Sequence, residues 1–163
     1  MKSRTPLSVS RRKKDFKRST YVDTLDSVFS HYVRQKYADE NGNVRCFTCD
    51  KVMPWKEIQN GHYGGKFRST RGSYATRWHE DGSRPQDYGC NVGQWGKQAV
   101  YHERLVEDIG EDRIDALMQL SHTTVKLSNI DLLEMIREYY AKLRWPEQIS
   151  KTLQTNLKKL KVV

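Results

Sequence analysis

Two pairs of residues in this sequence have the spacing of metal knuckles: Cys46 with Cys49, and Asp87 with Cys90. Two intervening residues let backbone amides turn around an ion while both side chains point at it, as in structural zinc sites. A redox Cys-x-x-Cys has the same spacing but should open a helix beside a buried strand. Cys46 and Cys49 are flanked instead by short strand-like runs at residues 43–45 and 51–53. The expected set is three cysteines and one aspartate holding one zinc, with a carboxylate oxygen as a harder and weaker donor than thiolate. His79 and His102 are the alternative fourth ligands.

Between the knuckles stands Asn60-Gly61-His62-Tyr63, and Asn91 follows Cys90 directly. In a ββα-metal arrangement a histidine on the hairpin acts as general base towards water, and an Asn or His from the following helix holds a divalent ion. That ion, Mg or Mn, stabilises phosphorane-like charge and the leaving 3′ oxygen, so few side chains are required. A Gly-His-Tyr alone fits a structural histidine as readily. Its place between two knuckles in a basic chain favours chemistry.

Charge indicates the partner. The 163 residues include 29 Lys and Arg against 20 Asp and Glu, for a formal charge of +9 and a pI near 9.5. Each phosphate neutralised releases counterions, so nucleic acid is the first expectation. Residues 1–20 read as a basic arm, including Arg11, Arg12, Lys13 and Lys14, that orders on a phosphate backbone, with a localisation signal or solubilising tail as the alternative. Residues 64–84 interleave Lys66, Arg68, Arg71, Arg77 and Arg84 with Phe67, Tyr74 and Trp78. Such a stretch grips phosphates and stacks on unpaired bases, or is a connector whose aromatics pack locally. No run approaches the ~18 apolar residues of a membrane span, and no apolar segment follows the first basic residues. Three cysteines do not close a disulfide set. The expectation is a soluble cytoplasmic protein with reduced thiols.

The elements that must position these residues are mostly helical. Val22, Leu25, Val28, Phe29, Tyr32 and Val33 recur at helical spacing, read as core packing, with Ser19 or Thr20 as the cap. Residues 41–96 hold most of the glycines and all three cysteines, and read as short strands and loops around a site. Helices return after Gly96, with a break at Gly110. Ser128 and Asp131 resemble a capping box opening a helix with Ile130, Leu133, Ile136, Tyr140 and Leu143 on one face. Ile149, Leu153, Leu157 and Leu160 follow on a basic amphipathic helix in residues 146–163. The fold class expected is α+β. A zinc-stapled centre within residues 21–145 is flanked by an N-terminal helix and a helical C-terminal region, and a mean hydropathy of -0.86 implies a modest core.

From about Leu25 to Trp145 the chain resembles the phage NinG/Rap recombination proteins. The matching residues are Tyr32-Val33-Arg34, Cys46-Phe47-Thr48-Cys49, Trp55, Gly61-His62-Tyr63, Arg77-Trp78 with Glu80, Pro85-Gln86, Cys90-Asn91, Gly96, Tyr101, Leu105 and Gly110. The resemblance implies an HNH-like endonuclease acting on branched DNA such as Holliday junctions, D-loops or flaps. Asp87 stands where the family has a cysteine, Arg84 and Gly93 where it has histidines, Gly82 where it has asparagine, and Gln59 where it has an acid. Either His79, Glu80 or Asp81 takes over their work, or the chain binds DNA structure with weakened cleavage. Three functions are therefore expected in order: a junction nuclease with His62 as base and Asn91 on the metal, a non-catalytic DNA-structure-binding recombination protein, and a zinc-stabilised adaptor for recombination proteins. A homodimer would suit the near two-fold symmetry of a four-way junction.

Overall fold

The computed structural model describes residues 16–64 and 69–163. Arg11, Arg12, Lys13, Lys14, Lys66 and Arg68, expected on DNA, lie outside the described residues. Helix α1 runs Arg18–Lys36 and buries Tyr21, Leu25, Val28, Phe29, Tyr32 and Val33. It starts earlier than expected: Lys17 is the N-cap without a side-chain cap bond, so Ser19 and Thr20 lie inside the helix. Thr24 instead donates its hydroxyl back to the Thr20 carbonyl at 2.6 Å.

The middle of the chain forms two small antiparallel sheets. Strands β1 (Asn43–Arg45) and β2 (Val52–Pro54) pair Val44 with Met53, so the first knuckle occupies the hairpin tip. Strands β3 (Gln59–His62) and β4 (Ser83–Gln86) pair His62 with Ser83 and Gly61 with Arg84. A single π-helical turn, Gly89–Gly93, follows β4. Gly61 is required for close approach: a Cβ there would stand 2.1 Å from Gln86 Oε1. Gln86, fully buried, donates its amide to Thr48 Oγ1 at 3.0 Å and to the Gly96 carbonyl at 2.9 Å. One side chain thereby joins the knuckle, the strand pair and the loop beyond the turn.

Helices α2 (Gln98–Ile109) and α3 (Glu111–Ser121) meet at Gly110, whose φ of +82° is a backbone state that favours glycine. Helix α4 (Asn129–Ala141) opens with the expected capping box of Ser128 and Asp131. Of the expected face, Ile136 and Leu143 are buried and Leu133 and Tyr140 are partly buried against the same cluster; Ile130 is 68% exposed, and Leu132 and Tyr139 are buried in addition. Helix α5 (Lys151–Lys159) buries Leu153 and Leu157.

Apolar packing falls into three clusters. The largest joins α1, α4 and α5 through Leu25, Phe29, Ile136, Leu153 and Leu157, with Trp78 inserted from the connector. Each such side chain contributes roughly 1.5–3 kcal/mol by leaving water. A second, small cluster lies under the knuckle around Val44, Trp55 and Ile58 with Cys46 and Cys90. The third packs Tyr63 against α2 and α3 through Tyr101, Leu105 and Ile114. Among the described residues no helix is long and apolar enough to cross a membrane.

Candidate metal centre and active-site cleft

The fold brings Cys46, Cys49 and Cys90 together, with their sulfur atoms all within 4.8 Å of one another. Two thiolates on one zinc at about 2.3 Å each stand roughly 3.8 Å apart in tetrahedral geometry, so this donor set fits zinc. The Asp87 N–H donates to Cys46 Sγ at 3.2 Å, as second-knuckle amides do around a thiolate. Burial opposes ionisation of Cys46, but that amide and Thr48 outweigh it and lower its thiol from the usual range. Burial and the neighbouring Cys46 and Cys90 sulfurs push Cys49 up to about 11. Three crowded thiols ionise together only with a cation among them.

The Asp87 carboxylate does not join the three sulfurs. Its Oδ2 accepts from the Gly89 N–H at 3.0 Å, and its Oδ1 faces Lys51 Nζ at 3.4 Å. Of the expected set the structure brings together the three cysteines, while the turn uses the Asp87 carboxylate as an acceptor. The alternative ligands are also elsewhere: His79 Nδ1 accepts from the Asp81 N–H, and His102 Nδ1 meets the Tyr63 hydroxyl at 2.9 Å. Two further contacts hold the knuckle. The Phe47 N–H donates to the Pro85 carbonyl at 2.8 Å, and Arg104 of α2 bonds the Phe47 carbonyl at 2.9 Å and Asp50 at 2.7 Å.

His62 and Asn91 line one open cleft of about 580 Å³, between β3, the π-helical turn and the polar side of α1. His62 Nε2 faces the Arg77 carbonyl at 3.2 Å. A carbonyl only accepts, so Nε2 carries the proton and Nδ1 keeps its lone pair. Burial drives His62 down to about 4, against the raising effect of the Arg77 carbonyl and with the help of the nearby Arg71 charge. The ring is therefore neutral at physiological pH. Asn91 donates its Nδ2 to Gln59 Oε1 at 2.8 Å, which sets the amide's orientation. Asn60 Oδ1 is buried beside the cleft without a hydrogen-bond partner among the described residues. Oxygen donors from Asn60, Asn91 and Asp23 are the type a hard divalent ion takes.

Other expected site residues lie elsewhere. Glu80 Oε2 accepts from the Tyr32 hydroxyl and Lys36 Nζ, both at 2.7 Å, and Oε1 faces Lys142 Nζ at 3.3 Å. Glu80 and His79 line a different cleft, against α4, so the structure does not bring either to His62. Arg84, expected on phosphate, is 2% exposed: it bonds Asp108 and the carbonyls of Glu80 and Ser83. Arg77 is held by both carboxylate oxygens of Asp26, which also accepts the Trp78 indole N–H at 2.8 Å. Arg84 is an internal tie, with acceptors on Nε, Nη1 and Nη2, and Arg77 has its Nε and Nη2 face taken by Asp26. Arg71 is exposed on the cleft rim and ion-pairs with no carboxylate among the described residues. Sequence reasoning missed Asp23 and Asp26 by reading α1 as core alone. The signal was its second face, where Asp23, Asp26, Ser30 and Arg34 recur at three and four.

The family model described as Bacteriophage Lambda NinG protein matches residues 2–148. Neither a curated protein nor a solved structure matches the chain.

Proposed function

The chain belongs to the NinG family, and from that premise we propose that it is a recombination endonuclease that hydrolyses a phosphodiester of branched DNA in the His62 cleft. One observation carries the reading: His62 and Asn91 line the same cleft, and the His62 Nε2 contact with a backbone carbonyl leaves Nδ1 as the acceptor of the neutral ring. In this reading β3, β4 and the turn after them correspond to an HNH-like ββα unit. His62 Nδ1 accepts a proton from water, the resulting hydroxide bonds to phosphorus, and the bond to the 3′ oxygen breaks with its electron pair leaving on that oxygen. An incoming phosphate anion favours the protonated ring and raises its proton affinity towards neutral pH. A Mg or Mn ion held by Asn91 with Asp23 and Asn60 would neutralise charge on the phosphoryl and leaving oxygens. Arg71 on the rim grips the adjoining phosphate, and the zinc knuckle fixes β4 through the Phe47 to Pro85 bond.

A second reading is favoured by a different observation. Asp26 is consumed by Arg77 and Trp78, and Gln59 rather than an acid engages Asn91, so the cleft is poor in free carboxylates. A recombination accessory protein that binds DNA structure without cutting would use the same fold. The experiment is a cleavage assay on labelled duplex, flap, D-loop and four-way junction with added Mg or Mn. The nuclease reading expects metal-dependent nicking of branched substrates that His62→Ala abolishes while DNA affinity stays. Cleavage that survives His62→Ala removes the assignment of His62. Tight, salt-sensitive binding with no cleavage under any metal establishes the accessory reading.

A further inference from the structure

Beyond the cleft, the loop after the π-helical turn carries Trp95 at 89% exposure, while Trp55 and Trp78 are buried. Its backbone is held in an unusual state. Trp95, Gly96 and Lys97 have φ of +52°, +79° and +45°, so two side-chain-bearing residues sit in the left-handed region that L-residues avoid. Such a state persists where the surroundings impose it. Here Gln86, itself tied to Thr48 of the knuckle, donates to the Gly96 carbonyl, and the Lys97 N–H bonds the Gln94 carbonyl at 2.9 Å. Gln98 fills the space a Cβ at Gly96 would take and accepts from the Gly64 N–H at 2.7 Å, tying the loop to the exit of β3. The ring is thus exposed on a stalk fastened to both the metal centre and the strand bearing His62.

The setting indicates what the ring meets. Asn91 and Val92, which line the His62 cleft, precede Trp95 by only a few residues. No acidic residue occurs from Tyr88 to His102, Lys97 follows Trp95 by two positions, and the chain carries +9. An exposed aromatic plane on a basic protein, close in sequence to a lysine and to residues of a candidate phosphodiester site, matches a nucleobase in shape and its backbone in charge. A rigid stalk also reduces the ordering cost of stacking.

We propose that Trp95 is a stacking wedge for an unpaired base at a branch point or single-strand to duplex boundary. The inference rests on the reading that the His62 cleft takes DNA, but not on cleavage there. Binding of labelled flap, four-way junction and blunt duplex to the full chain, without added Mg or Mn, tests it. Trp95→Ala is expected to weaken flap and junction binding by about 10- to 100-fold and leave duplex binding unchanged, while Trp95→Phe keeps most of the affinity. Titration with an oligothymidylate should quench tryptophan fluorescence in the wild type and not in Trp95→Ala. Trp95→Gly should lose the same affinity without a lower melting temperature, since glycine accepts the positive φ. Unchanged flap affinity in Trp95→Ala, an equal loss on duplex, or a sedimentation change assigning the ring to self-association overturns the wedge alone. A wild type that binds no DNA overturns the wedge and the DNA reading together, whereas a protein that binds branches through Trp95 but never cuts them leaves the wedge standing.

Discussion

Arg77 serves His62 from two directions: its carbonyl holds Nε2, while its guanidinium is locked by Asp26. The histidine's protonation follows from that cradle and from burial. The unfolded ring takes a proton near 6.5 and the folded ring only at about 4. The unfolded chain therefore binds more protons between those values, and stability falls as pH drops through that window, by up to about 3 kcal/mol. Denaturant unfolding at pH 7, 5.5 and 4 should show this slope in the wild type and a shallower one in His62→Gln, where His31, also lowered by burial, still contributes. Glu80 has a separate window. Burial opposes its charge, but Lys36, Tyr32 and Lys142 hold it at about 2, so its contribution is full above about 4.5 and is lost progressively as pH falls from there to about 2. Residue types were legible where spacing constrains them, as with Cys46, Cys49 and Cys90. The destinations of Arg77 and Arg84 were not, because a basic residue looks the same in sequence whether a phosphate or an internal carboxylate meets it. Asp108, which claims Arg84, lies 24 positions away.

At the scale of elements, α4 shows how far periodicity reaches. Its start was readable from Ser128 and Asp131, a local signal. Its buried face was readable in part: Ile136 and Leu143 are buried as read, but Leu132 and Leu133 are adjacent and either can seed an apolar stripe. Packing against α1 selects Leu132, Ile136 and Tyr139, with the Tyr139 hydroxyl on the Trp78 carbonyl at 2.6 Å. Thermal or urea unfolding should separate the two stripes. Ile136→Ala, at a fully buried position, is expected to cost about 2–5 kcal/mol, and Ile130→Ala no more than about 0.5 kcal/mol. The paired strands were legible as short runs flanking turns, and β1 falls at residues 43–45 as read. The pairing of β3 with β4 joins segments on either side of a 20-residue connector, from residue 63 to residue 82, and no local pattern specifies such a partner.

For the molecule as a whole, stability is unevenly shared. The cluster under the knuckle has few buried side chains, whereas the α1, α4 and α5 cluster is large. Metal should therefore matter to the centre more than to the helical body. Metal analysis is expected to find about one zinc per chain, lost in Cys46→Ser. After chelation, hydrogen exchange should accelerate in residues 43–62 and 83–97 while α1 and α4 stay protected; uniform protection after complete zinc removal would count against a structural metal. The large helical cluster has another consequence, in time. Gln35 receives the Trp145 N–H across 110 positions, and α1 finds its apolar partners in α4 and α5. At roughly 5–20 residues per second a ribosome needs on the order of ten seconds to deliver them. During that interval the first helix emerges with Leu25 and Phe29 uncovered, while every ligand of the cysteine cluster has been synthesised by residue 90. The nascent protein can close its metal-binding middle before its two ends meet.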